Sequence, residues 1–299
     1  MSRRHLAMLL VLAALWGASF MFIKIGDREL HPITLVGFRM ALGTLTLVPI
    51  VLITVGARRT LHELRDAAGP LIVTGLLNSA IPIFAITWAE TRLDSGLTAI
   101  IQASAPLFTA LLALRLSRDQ RVRGSRLAGL VVGFAGVTLL VGGRPSGQIV
   151  AALAVVFSAL CYAGAGLYAG RRLRGISPPV TALGTLTAAT FATLPIALFQ
   201  LPSHVTGWKV TASVLTLGIA GTGLAYILYY GLISGAGASR AILITYLAPT
   251  FAVVYGALLL GEPVTTAAVG GLVLVLAGVG LGTGAVRLGR ARRVASSET

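Results

Sequence analysis

Residues 75–96 read GLLNSAIPIFAITWAETRLDSG, and residues 218–239 read GIAGTGLAYILYYGLISGAGAS, an offset of 143. The same offset carries Ala105-Pro106 onto Ala248-Pro249 and Asp119 onto Glu262, and an offset of 142 carries Gly136-Val137 onto Gly278-Val279. Upstream, an offset of 146 maps Trp16 onto Tyr162, Pro32 onto Pro178, Thr44 onto Thr190, and Pro49-Ile50 onto Pro195-Ile196. Chance supplies one such match, but not an ordered series over five hydrophobic runs. The chain is an internal duplication.

Each duplicated stretch is apolar. The 299 residues have a mean hydropathy of +0.89, with 56% hydrophobic and only 11% charged side chains. A soluble domain uses about 25% charged residues to cover its surface, so a water-soluble enzyme is excluded at the outset. A bilayer core takes about 20 apolar residues per helix. Runs of that length stand at residues 6–26, 32–55, 69–89, 95–114, 127–143, 148–169, 179–201, 211–234, 238–260 and 264–285. None alternates with the period of two expected of transmembrane strands. The reading is an all-α membrane protein of ten transmembrane helices. Five spans make an odd number, so the second half (148–285) starts on the opposite side from the first (6–143). That is an inverted-topology repeat, followed by a basic cytoplasmic tail at 286–299. The start, Met1-Ser-Arg-Arg-His before an apolar run, also fits a signal peptide. The run is long for one, however, and it has a counterpart later in the chain.

Charge sets the orientation. With the N-terminus inside, 18 Lys and Arg fall in cytoplasmic segments and 5 on the opposite side, with Arg39 inside a span. That bias obeys the positive-inside rule for both termini in the cytoplasm and places the chain in the cell membrane. It also accounts for the net charge of +15 without nucleic acid, leaving the lipid bilayer as the partner. The tail could touch anionic lipid.

The chain resembles the drug/metabolite transporter superfamily, and within it the EamA-type transporters with two five-helix repeats. The likeness is carried by ALWGASF at 14–20, by Arg39 after Pro32, by AETRLDSGLTAIIQASAPLF at 89–108, and by GLVVGFAGVTLL at 129–140. In the second half it is carried by ASRAILITYLAPTFAVVYGALLLGEPVT at 238–265. The first-half counterpart of Leu-Gly-Glu, LRLSRDQRV at 114–122, has Asp119 for the glutamate and lacks the glycine. The resemblance implies a secondary carrier of a small organic metabolite, an amino acid or related compound, with efflux as the direction. The rivals are a non-transporting scaffold or sensor, and a lipid-modifying transferase.

Catalysis lacks parts. The four histidines and nine acids lie at helix ends or in loops, no GxxxxGK[ST] loop exists, and one cysteine, Cys161, excludes disulfides and multi-cysteine metal sites. No cofactor or metal is expected, and Cys161 reads as a small apolar filler. The candidates that remain are polar and aromatic residues inside spans, which need partners or a wet cavity. Asn78 and Gln102 are the amides deep in spans. Gln102 and Thr245 are repeat equivalents, each four residues before a proline (Pro106, Pro249), whose missing N–H frees a carbonyl. Trp16 and Tyr162 pair across the repeat, and Tyr226 and Tyr246 could stack on a flat substrate. Arg39 could hold an anionic group, snorkel, or cap carbonyls freed near Pro49; Lys24 is a similar candidate. The expected site is therefore Trp16, Arg39, Asn78, Gln102, Tyr162, Tyr226, Thr245 and Tyr246, around a small-molecule substrate between the halves.

Glu90 and Glu262 stand at outer helix ends, where water would ionise them. Movement down the substrate's gradient, or exchange, is therefore expected, with Glu262 receiving N–H groups from the start of the last helix. Gly129/Gly133 and Gly278/Gly282 permit close helix approach, between the repeats or in a homodimer. The orientation is testable by cysteine labelling from outside in a background lacking Cys161. A thiol at position 144 should react and one at 121 should not; the opposite pattern reverses the topology.

Overall fold

A computed structural model describes residues 2–116, 125–142, 145–237, 241 and 243–282. Asp119, Arg144, Arg240 and the basic tail lie outside the described residues, so the expectations placed on them are not addressed by it. Every regular element among the described residues is helical. The chain begins with α1 (Arg3–Gly26), α2 (Pro32–Val55) and α3 (Ala57–Asp66). Next, α4 (Ala68–Gly75) runs through a π-helical turn, Leu76–Ala80, into α5 (Ile81–Glu90). The following apolar stretch is broken into α6 (Ser95–Gln102) and α7 (Ala105–Leu116), and α8 (Ser125–Val141) completes the first half. The second half holds α9 (Ser146–Arg172), α10 (Pro178–Leu198) and α11 (Trp208–Gly218), which passes through a π turn, Ile219–Leu224, into α12 (Ala225–Ala236). It ends with α13 (Ile244–Tyr255), a third π turn, Gly256–Leu260, and α14 (Thr266–Gly282).

Seven helical stretches are long and apolar enough to cross a bilayer, and three shorter ones (Leu127–Val141, Ile244–Leu260, Thr266–Leu281) are equally apolar. Their outward faces carry large hydrophobes: Ile53 is 83% exposed, Phe191 77% and Leu258 77%. In water each would forgo about 1.5–3 kcal/mol of burial; facing lipid it forgoes nothing. The chain is a multi-pass membrane protein. Helix α3, which the hydropathy pattern passes over as a connection, is the exception. It is amphipathic, with Arg58 and Arg59 exposed, Thr60 and Glu63 buried, and Leu64 packed toward Gly184 of α10.

Proline and glycine explain the local punctuation. Pro32 and Pro178 stand in the first turns of α2 and α10, where the missing N–H costs nothing. Pro106 and Pro249 part company despite their shared motif: Pro106 opens α7 after a break at Ala103–Ser104, whereas Pro249 lies inside α13. At the break, the Ser104 hydroxyl donates to the Ile101 carbonyl at 2.7 Å.

The halves interlock rather than sit side by side. Helix α1 packs on α13, α9 on α5 to α7, α2 on α10, and α8 on α14. Gly17, in the quoted ALWGASF, lets α1 approach α13 so closely that a Cβ there would lie 2.7 Å from the Ala248 carbonyl oxygen. Gly75 lies against Thr185 and Ala188 of α10, and its repeat equivalent Gly218 lies against Arg39 and Leu42 of α2. Those contacted residues are themselves equivalents, at the offset of 146. Thr44 and Thr190, also equivalents, share a hydrogen bond of 2.9 Å between their hydroxyls. Gly278 faces Gly133 and the Gly129 carbonyl, so this small-residue spacing is used inside the chain. A Gly278→Val variant should therefore lose at least about 1–3 kcal/mol to overpacking, seen as a lower Tm of the detergent-purified protein. Gly164→Val, in α9 with nothing within 4 Å of the added Cβ, should leave Tm unchanged.

Candidate functional site

Two of the three described π turns fall at equivalent positions, Leu76–Ala80 in the first half and Ile219–Leu224 in the second. Such turns bulge a helix and commonly accompany functional sites. Periodicity alone did not reveal them; the signal available in the sequence was Asn78-Ser79 and Gly221-Thr222-Gly223 in mid-span. In the second turn the Thr222 hydroxyl donates to the Leu217 carbonyl at 2.8 Å and accepts from Arg39 Nε at 3.0 Å. In the first, Asn78 Nδ2 donates to the Tyr226 hydroxyl at 3.2 Å. Each bulge thus carries a polar side chain toward the other half.

Between the bulges lies a cavity of about 690 Å3. Of the eight residues expected from sequence, Trp16, Arg39, Asn78, Gln102, Tyr162, Tyr226 and Thr245 line it together. Tyr246 does not: it packs against the apolar cluster around Ile100, Ile101 and Val155. Helical spacing accounts for the difference, because adjacent residues point about 100° apart, and Thr245 takes the cavity side. Residues outside the expected set also line it, notably Tyr229, whose ring is 5.4 Å from that of Trp16, together with Ser19, Thr109 and Thr222. The Gln102 side-chain carbonyl accepts from the Ser158 hydroxyl of α9 at 2.8 Å, so this amide both ties a neighbouring helix and lines the cavity.

Arg39 is 8% exposed and does not snorkel. Among the described residues no carboxylate lies within ion-pair distance of it. No acid or histidine among the described residues lines the cavity, and the fixed charge they give it is the Arg39 guanidinium. Lys24, by contrast, is spent structurally, its Nζ donating to the carbonyls of Glu90 at 2.5 Å and Leu93 at 2.8 Å.

Three glutamates hold helix starts in the other half. Glu262 accepts from the Ser95 N–H (2.9 Å), the Ser95 hydroxyl (2.8 Å) and the Gly96 N–H (3.2 Å). Its target is the start of α6, and not the start of the last helix as expected. Gly261, at φ 70°, turns the chain in the left-handed region to aim it, and Gly256 leaves room for its carboxylate. Glu29 accepts from the Gly207 N–H before α11 at 2.7 Å. At the opposite end Glu63 accepts from the Ser177 N–H (2.8 Å) and hydroxyl (2.6 Å) before α10, and from Arg59 Nε at 2.6 Å. The end holding Lys24, Glu29 and Glu262 is thus tied three times over. The cavity lining runs away from it, along α7 as far as Ala113.

One further expectation is corrected. Glu90 does not face water at its helix end: it is 0% exposed.

The described helices form a multi-pass bundle around a central, mostly apolar cavity. Residues 4–142 and 149–283 each match the EamA-like transporter family. The chain belongs to that family, whose members are transporters. It is 26% identical over 268 residues to an uncharacterised transporter of Archaeoglobus fulgidus, covering 88% of this chain and 93% of that one. It is 25% identical over 317 residues to a probable amino-acid metabolite efflux pump of Salmonella typhimurium, covering 98% and 99%. A crystal structure at 20% identity superposes with a TM-score of 0.68 over 94% of this chain and 98% of that one, which shows the fold.

Glu63 gives a test of the helix-start ties. Burial pushes its carboxyl up, but the Ser177 hydroxyl and N–H and the Arg59 guanidinium outweigh this and hold it below the usual carboxylate range. A depressed value contributes stability above the unfolded pKa that is lost as pH falls through the folded one. Glu63→Gln should therefore lower Tm at neutral pH, and the difference from wild type should vanish in acid. A gap that persists in acid would separate Glu63 from this tie.

Proposed function

We propose that the protein is a ten-span secondary transporter that exposes its central cavity alternately to the two sides of the cell membrane. In this reading residues 6–143 and 148–285 are inverted five-helix repeats, and both termini and the tail at 286–299 are cytoplasmic. The supporting features are reciprocal packing of equivalent residues, the Thr44–Thr190 pair, and the 18-to-5 charge bias. Interchange of two like halves is the simplest way to open one site to either side. With the tied end outermost, the arrangement described here is closed to the outside.

The observation that carries the reading is the cavity itself, lined from both halves by the equivalent pairs Trp16/Tyr162 and Gln102/Thr245 around a guanidinium with no carboxylate partner among the described residues. Those parts suit a small organic metabolite with an anionic group on Arg39 and an apolar or flat body against Trp16, Tyr226 and Tyr229. An amino acid or related compound, moved outward, fits this chemistry and the printed description of the Salmonella relative.

A metabolite screen in proteoliposomes tests it. Flux should appear for carboxylate-bearing solutes. Arg39→Gln should cut it on the order of 10–100-fold, the worth of a hydrogen-bonded charge. Arg39→Lys, which keeps the charge, should retain part, and the lipid-facing Phe191→Ala should retain all. No flux of any solute, with folded protein, would favour a scaffold or sensor.

A further inference from the structure

The Lys24 end contains two acids that the transport reading does not use. Both carboxylate oxygens of Glu90 are buried with no hydrogen-bond partner among the described residues, and so are both of Asp27. Neither acid has an ion pair among the described residues. The charged groups facing Glu90 are Asp27 and Lys24 from the end of α1, Arg39 from α2, and Glu262 from the segment before α14. All but Asp27 are committed elsewhere: Lys24 to the Glu90 and Leu93 carbonyls, Arg39 to Thr222, and Glu262 to the start of α6. An ionised carboxylate so placed would be a buried, unpaired charge, which proteins avoid by neutralising the group. Two acids facing each other add like-charge repulsion to that penalty. Burial pushes the Asp27 carboxyl up to about 8, against the opposing pull of Lys24.

We propose that Glu90, with Asp27 as its companion, is a proton-binding site that latches this end of the bundle: the closed end holds the site protonated, and loss of the proton favours opening. The transport reading enters only in calling this end the outer gate. The latch works through position. Glu90 terminates α5, and its own backbone carbonyl receives the Lys24 ammonium that pins α1 to the turn after α5. Ile86, one turn before Glu90, lines the cavity, so opening this end would admit water to both acids. The sign follows from linkage: the closed form binds more protons than the wetted, open one, so falling pH favours closure and rising pH favours opening. Each proton released changes the ratio by at most about tenfold per pH unit. External acid should therefore slow a transport cycle that must open outward.

The test uses the full chain in detergent, where neither orientation nor flux matters. Leu93, 2% exposed beneath the Lys24 tie and outside the cavity lining, is replaced by cysteine in a Cys161→Ala background. Its maleimide labelling rate is divided by that of a cysteine at exposed Thr91, and the same ratio in Glu90→Gln controls for the buried thiol's own titration. The ratio should rise severalfold from mildly acidic to alkaline pH, and Glu90→Gln, a permanently neutral isostere, should hold it low throughout. A flat ratio in the parent, or a rise unchanged in both Glu90→Gln and Asp27→Asn, would overturn the site. Infrared spectroscopy of the cysteine-free protein supplies a second readout: a protonated-carboxyl stretch at neutral pH whose Glu90 share is lost in Glu90→Gln. Its absence also overturns the proposal. Solute flux without pH-dependent labelling would remove the latch and leave the transporter; the converse would do the opposite.

Discussion

In an apolar slab every backbone N–H and carbonyl must find its partner inside the protein, and this requirement governs wherever the helices of this chain are interrupted. The break between α6 and α7 frees the Ile101 carbonyl, and Ser104 takes it. The π turn in the second half leaves the Leu217 carbonyl to Thr222. The starts of α6, α10 and α11 expose N–H groups, and Glu262, Glu63 and Glu29 receive them from the opposite half. The helix starts are thereby tied across the two halves, while the α6–α7 break and the second-half π turn are satisfied from within their own half.

The cavity is a consequence of the same constraint. Close glycine contacts bring α1 onto α13, α4 onto α10 and α11 onto α2, with α8 and α14 clasped at Gly133 and Gly278. The π turns directly follow two of these glycines, Gly75 and Gly218, and bring Asn78 and Thr222 to the cavity wall. Thr222 holds one N–H of the Arg39 guanidinium there, and the Arg39 side chain lines the cavity. The site is apolar in area and polar at a few points, the usual form of a small-molecule pocket.

Much of this was legible in the residues. The offset between Trp16 and Tyr162, or between Gln102 and Thr245, is a statement about sequence that already paired the cavity's walls. Polar residues inside apolar runs could be singled out because lipid excludes them. Tyr246 failed the same test because depth along a helix was readable while its facing was not. Its neighbour Thr245 satisfies the same pattern from the adjacent direction. Helix α3 escaped notice because a hydropathy scan rewards apolar runs and passes over a ten-residue amphipathic one.

Composition, run length and the duplication by themselves determined a membrane-embedded helical protein in two related halves, because burial in lipid constrains each segment separately and leaves its mark residue by residue. The tertiary structure alone decided where charge is stored. Glu90 and Glu262 occupy comparable helix-end positions in the sequence. Yet Glu262 is satisfied by the start of α6, whereas Glu90 is sealed near Asp27 with no donor among the described residues. The partner of a carboxylate comes from whichever segment packs against it, here one as far as 167 residues away in the chain. No local pattern records that choice.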